Sequence, residues 1–287
     1  MGASILITLR EGLEIALVLA VMIAYLVKTG RGGSLRPVWA GTAAAAAVCI
    51  AAGVAFHLAV GEFVGRTEQF IEGTLAFAAA AVLTWMIFWM RANSRNLGGE
   101  LRGRIDTALG QSAWALGLVA FVAVAREGFE TVLFLLGAET GTSSGGQVIL
   151  GGIIGLAIAA VIGVAFYRGS ERVDLKRFFH VTGLLLILFA AGLFAKGVHE
   201  FREFLGIDAS LIATPLWTIT SGPFAEGWLH DFLKGLFGWS PDPERIRVVA
   251  YLAYLVPILW LYFLPPGSPS EKDPEEQKSE PTAKLPA

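Results

Sequence analysis

Long apolar stretches, broken at intervals by short clusters of charged and turn-forming residues, recur along the whole chain. A helix that crosses hydrocarbon needs about 20 mostly apolar residues. Seven stretches meet or approach that length: 3–27, 37–61, 70–90, 114–138, 148–167, 178–198 and 248–264. The last is short, but it ends in Trp260, Tyr262 and Pro265, interfacial aromatics followed by a helix stop. Trp85 and Trp89 mark one end of the third stretch in the same way. Beyond Pro265 the chain is rich in Pro, Glu, Lys and Ser, which predicts a disordered tail over 265–287. The pattern therefore predicts an all-α integral membrane protein, with residues 1–264 forming one seven-helix domain.

Composition supports lipid as the solvent for most of the chain. Charged residues make up 16% of it, where a soluble domain carries about 25%. Hydrophobic residues make up 55% and the mean hydropathy is +0.63. The net charge of −2 and the lack of a basic stripe give no reason to expect a nucleic-acid partner. The single cysteine, Cys49, excludes an intrachain disulfide and a thiolate metal cluster. No basic residue precedes the first apolar run, and that run contains Arg10, Glu11 and Glu14. It reads as a retained first helix and not as a cleaved signal.

Orientation follows from Lys and Arg in the short loops. The loop after the first span holds Lys28, Arg31 and Arg36, and the loop after the third holds Arg91, Arg95, Arg102 and Arg104. The loop after the fifth holds Arg168, Arg172, Lys176 and Arg177. The loop after the second has only Arg66, and the loop after the fourth has none. The N-terminus is then expected outside and the tail inside. The segment 199–247 falls outside, where Trp217, Trp228 and Trp239 suggest either a piece resting on the membrane surface or a small folded cap.

The chain also repeats itself. Residues 10–19, beginning Arg10-Glu11-Gly12-Leu13-Glu14, resemble residues 126–135, beginning Arg126-Glu127-Gly128-Phe129-Glu130. A weaker echo links Phe70 to Gly73 with Phe179 to Gly183. The motif offset covers three spans, an odd number, so the second copy must run opposite to the first. Two inverted three-helix repeats, 3–90 and 114–198, plus one extra helix, are therefore expected. Transporters of this plan hold their substrate between the copies. At about 1.5 Å per residue, Glu11 lies roughly 12 Å and Glu127 roughly 16 Å below the outer ends of their spans, so the two motifs share a depth.

Glu11 and Glu14 share a helix face, as do Glu127 and Glu130. Arg10 and Arg126 are each four residues from the second glutamate of their motif. Each charge at the centre of a span costs about 2.5–3.5 kcal/mol, so six cost on the order of 15–20 kcal/mol if unpaired. Two arginines neutralise two carboxylates, and the other two need a cation or protons. Four converging carboxylates make a hard oxygen site, suited to a hard or borderline cation. Reading each Arg-Glu pair as a structural staple leaves the second glutamate of each motif unexplained. Gly12 and Gly128 let helices approach closely in either reading.

Other acidic residues lie at the expected outer face. Glu68 and Glu72 flank the mouth of the third span, as a funnel for cations or as ordinary interfacial charges. His199, Glu200 and Glu203 follow the sixth span and form a third acidic group at helical spacing, a candidate capture site. His57, His180 and His230 stand alone and read as structural. Gly151, Gly152, Gly155 and Gly163 make the fifth span a packing helix.

With both motifs in view, the chain resembles the high-affinity iron permease family, the oxidase-dependent iron transporters, over residues 1–264. The bacterial branch is the closer likeness, because the chain is short. The resemblance implies an iron permease of the bacterial cytoplasmic membrane, with Glu11, Glu14, Glu127 and Glu130 as iron ligands and Arg10 and Arg126 flanking them. It makes Glu200 to Glu203 the acidic motif before the last span. No cofactor is implied, since iron is cargo, carried as Fe(II) or Fe(III). Related chains carry other divalent metals such as lead, and manganese is a further alternative. Bacterial members work with a periplasmic cupredoxin-like iron-binding protein and a haem peroxidase. Oligomeric state is left open. The rival from another class is a membrane-embedded lipid-pyrophosphate phosphatase. It wants Ser, Arg and His for phosphate beside its carboxylates, and only the two arginines lie there, each with a glutamate to pair with. A transporter and not an enzyme is expected.

Overall fold

The computed structural model describes residues 2–60, 65–93, 105, 107, 112–139, 145–167, 175–207 and 210–264. Each apolar stretch of the sequence is a helix: α1 (Gly2–Lys28), α2 (Leu35–Val60), α3 (Arg66–Asn93), α4 (Ala113–Glu139), α5 (Gly145–Tyr167) and α6 (Leu175–Leu205). After α6 come a single turn, α7 (Ser210–Ala213), then α8 (Trp228–Phe237) and the long α9 (Arg245–Phe263). Among the described residues there is no strand, only one antiparallel bridge between Pro215 and Glu244. The basic loop residues Arg95, Arg102, Arg104, Arg168 and Arg172 and the tail 265–287 lie outside the described residues.

Five of the helices, α2, α3, α5, α6 and α9, are long and apolar enough to cross a membrane. The other two long helices, α1 and α4, are 27 residues each. They fall short on composition alone, because each carries an Arg-Glu-Gly-x-Glu motif at mid-length. Outward faces of α2, α5 and α9 present Ile50, Ile153, Val161 and Val256, all more than half exposed. Such faces suit lipid and would be costly in water.

Packing is pairwise and reciprocal. Helix α1 lies along α5, α2 along α4, and α3 along α6; α1 also touches α4, and α9 flanks α6. Small residues set the approach. A Cβ on Gly155 would press on the α1 backbone, 2.5 Å from the Ile5 carbonyl oxygen and 2.9 Å from the Leu9 nitrogen. Gly41 of α2 and Gly117 of α4 meet backbone to backbone, and a Cβ on Gly117 would lie 2.7 Å from the Pro37 carbonyl oxygen. Without a hydrophobic drive between lipid-immersed helices, close contact of this kind is a main source of association.

Two features extend the sequence expectation. Helix α6 runs on past 198 to Leu205, so His199, Glu200 and Glu203, expected at helical spacing, lie on the same continuous helix. The segment after it is folded. Trp217 and Trp239 stack with ring centroids 5.8 Å apart, and the Trp239 indole N–H donates to the Phe224 carbonyl at 2.9 Å. Helix α8 closes the end of α1, with Phe232 against Gly2, and its C-terminal Gly238 backs onto Gly192 of α6. The described residues 210–247 thus fold against α1 and α6, as a folded cap would.

Candidate metal site

The motif glycines bring the charged residues together. A Cβ on Gly12 would lie 2.9 Å from the Ala159 Cβ of α5, and one on Gly128 would lie 2.5 Å from the Cys49 sulfur of α2. Each motif thus rests its small face on the partner helix and turns its carboxylates to the α1–α4 contact. There, carboxylate oxygens of Glu11, Glu14 and Glu127 lie within 4.8 Å of one another.

The arginines hold the group from two sides. The Arg10 guanidinium donates to Glu11 Oε1 at 3.0 Å and stands 3.4 Å from Glu14 Oε1. The Arg126 Nε donates to Glu130 Oε1 at 3.2 Å and stands 3.6 Å from Glu127 Oε1. Both arginines then lean on one turn of α3. Arg10 meets the Met86 and Met90 sulfurs at 3.2 and 2.6 Å, and the Arg126 guanidinium lies 4.9 Å from the Trp89 ring centroid. Nothing in the spacing of the sequence marks Met86 or Met90, because a thioether in an apolar span looks like packing, and Trp89 was legible only as an interfacial aromatic.

One carboxylate oxygen of each motif glutamate is buried and accepts no hydrogen bond among the described residues: Glu11 Oε2, Glu14 Oε1, Glu127 Oε2 and Glu130 Oε2. A buried anionic oxygen without a donor is costly. Three of these carboxylates, Glu11, Glu14 and Glu127, cluster within 4.8 Å beside two guanidinium groups, an oxygen-rich arrangement of the kind that suits a hard cation, and Glu130 lies outside that group.

The other acidic candidates are differently placed. Glu72 Oε2 accepts from Lys196 Nζ at 2.9 Å, and Glu68 is half-buried one turn away on α3. Glu203 accepts from Gln69 at 3.1 Å and from Arg202 at 3.3 Å. Glu200 lines a cavity of about 380 Å³ between α6, α8 and the start of α9. A residue the sequence reading missed completes a second cluster: Glu244 meets His199 Nδ1 at 2.9 Å and Arg202 at 2.9 Å. Ligand atoms of His199, Glu203 and Glu244 lie within 4.8 Å of one another. Glu244 carries no spacing signal, since 45 residues separate it from His199. Of the lone histidines, His180 meets the Tyr262 hydroxyl at 3.1 Å, whereas His230 lines the same cavity as Glu200.

Long apolar helices around a buried, carboxylate-rich centre define a class, the polytopic membrane proteins with an ion-handling core. Comparison with known proteins names the family. The chain matches the iron permease FTR1 family over residues 1–264 and belongs to it. It is 40% identical over 267 residues to a ferrous iron permease EfeU of Yersinia pestis, covering 92% of this chain and 93% of the relative. It is 38% identical over 265 residues to a ferrous iron permease EfeU of Escherichia coli O6:H1, covering 91% and 95%. A ferrous iron permease EfeU of Shigella sonnei matches over the same extent at 38%. No solved structure matches the chain. The protein is therefore a multi-pass membrane protein of an iron-transport family.

Proposed function

We propose that the chain is a permease that carries iron, as Fe(II) or Fe(III), across the bacterial cytoplasmic membrane. Its central site is Glu11, Glu14, Glu127 and Glu130, with Arg10 and Arg126 neutralising part of their charge. The observation that carries this reading is the convergence of Glu11, Glu14 and Glu127 within 4.8 Å from two separate helices. The name of the relatives, ferrous iron permease, favours Fe(II) as the form carried.

Seven membrane spans serve the carrier, α1 to α6 and α9, with α1–α3 and α4–α6 as inverted repeats. The reciprocal pairing of α1 with α5 and α2 with α4 supports that arrangement, as does the matching seat of Gly12 on α5 and Gly128 on α2. Rocking of one repeat against the other would expose the carboxylates to each side in turn. The N-terminus lies outside and the C-terminal tail inside. Glu68, Glu72, Glu200 and Glu203 collect iron at the outer mouth, joined by His199 and Glu244. A cupredoxin-like iron-binding protein and a haem peroxidase are the periplasmic partners, and the chain itself catalyses no reaction.

Titration of the purified full-length protein in nanodiscs tests the site. Fe(II) under anaerobic conditions is expected to bind saturably, and Glu14→Gln and Glu130→Gln each to weaken that binding about tenfold or more, as loss of one charged ligand predicts. Unchanged affinity in both variants, with the fold intact, would overturn the assignment.

A further inference from the structure

The outer cavity is built for more than a metal cation. Its wall brings Lys196 from α6, Lys234 from α8 and Arg247 from α9 to one space of about 380 Å³. Lys196 is paired with Glu72 at 2.9 Å. Among the described residues, neither Lys234 nor Arg247 has a carboxylate within ion-pair distance. Burial, and then the charge of nearby Arg247, hold the Lys234 amine below its usual pKa. The carboxylates of Glu200 and Asp242 line the same cavity and offset part of this charge, but neither closes on Lys234 or Arg247, which leaves both cations open to an anion in the cavity.

A third group points the same way. His230 has Nδ1 engaged by Asp231 at 3.2 Å, while Nε2 is buried and without a hydrogen-bond partner among the described residues. Buried ring nitrogens are paired in nearly all proteins. This one lines the cavity, and with Nδ1–H turned to Asp231 it is an acceptor, which a hydroxyl of citrate or of a protonated phosphate can satisfy. Glu200 and His199 of α6, groups with metal-ligand chemistry, line the same cavity one turn from Lys196. Cationic and metal-ligating groups thus share one chamber.

We propose that this cavity is an oxyanion site, in which Lys234 and Arg247 bind the carboxylate or phosphate oxygens of a small multivalent anion. Such an anion reaches the mouth of a permease either free or as the counter-ligand of its metal. In the second case Lys234 and Arg247 take the oxyanion while His199 and Glu200 face the metal, and the complex is parted there before the bare ion descends to the motif glutamates. The oxyanion site stands on the cavity itself; only its coupling to iron rests on the permease reading.

Calorimetric titration of the full-length protein in nanodiscs tests the proposal, with citrate and inorganic phosphate as probes, each alone and as its iron complex. Saturable binding of at least one anion is expected, weakened about tenfold or more by Arg247→Gln and by Lys234→Met, as loss of a charge-assisted contact predicts. Tighter binding of the iron complex than of the free anion, with the difference lost in Glu200→Gln, identifies the metal-carried source; equal binding identifies the free anion. No binding of either anion to the folded wild type overturns the site. So does binding that both variants leave unchanged while thermal melting shows them folded. A protein that binds citrate yet carries no iron would keep this site and lose the permease reading, so the two fail separately.

Discussion

Arg10 and Arg126 hold the same place in their two motifs, yet Arg10 is 2% exposed and Arg126 is 43% exposed. The difference comes from α3. Met86 and Met90 close over Arg10, whereas Arg126 lies across the face of Trp89 with one side open.

The two arginines should therefore differ in what their loss does. Arg10→Ala leaves buried carboxylates without their cation and is expected to cost about 3–5 kcal/mol. Arg126→Ala removes a half-exposed group and is expected to cost about 1 kcal/mol or less. Thermal unfolding in detergent reads both, and a larger loss for Arg126→Ala would contradict the burial that separates them.

Helix approach makes a second prediction. A methyl group on Gly41 would land on the Gly117 carbonyl, and one on Gly117 on that of Pro37. Gly41→Ala and Gly117→Ala should each cost about 1–3 kcal/mol through displaced backbone. Gly33, with open space where its Cβ would be, serves as the control and should tolerate alanine. Equal melting temperatures for all three would show that α2 and α4 do not depend on that contact.

Much of this was legible in the sequence, and the reasons are physical. Hydrophobic length alone located α1 to α6 and α9, because a helix in lipid must satisfy its own backbone. The cost of burying six charges pointed to the motif residues, and their common depth let Glu11 and Glu127 meet. What the sequence hid depends on contacts between distant residues. Glu244 joins His199 only because the 214–244 segment folds back over α6. Met86 and Met90 read as ordinary core and Trp89 as an interfacial aromatic, and their role appears only once both arginines are seen to lean on them. Helix α8 was missed because its 10 residues are too short for a span, although its apolar and polar positions do follow a helical period.

Lys234 gives a pH dependence with a definite sign. Its folded-state pKa lies below the ordinary value of 10.5, through burial and the nearby Arg247 charge. At neutral pH the unfolded chain holds this proton more readily than the folded one, so the charge works against folding. That penalty is lifted as pH rises through the folded pKa toward the unfolded one. Lys234→Met should melt at or above wild type near neutral pH, with the gap narrowing as pH rises toward the ordinary lysine value. A gap that widens over that range would contradict the stated environment of Lys234.

Orientation can be read with one background. Cys49 is the single cysteine, so Cys49→Ser gives a chain without thiols. In that chain Ser240→Cys should react with an impermeant maleimide on intact cells. Ser34→Cys should react only after permeabilisation. The reverse pattern would place the α6–α9 segment inside and overturn the loop-charge argument.

The central claim is that four glutamates from two motifs carry iron. The most direct measurement is radioactive iron uptake into proteoliposomes, offering Fe(II) and Fe(III) separately to wild type and to the Glu14→Ala, Glu130→Ala double variant. Saturable uptake by wild type that is abolished in an equally inserted double variant is the predicted result. Equal uptake by the two proteins would contradict the account.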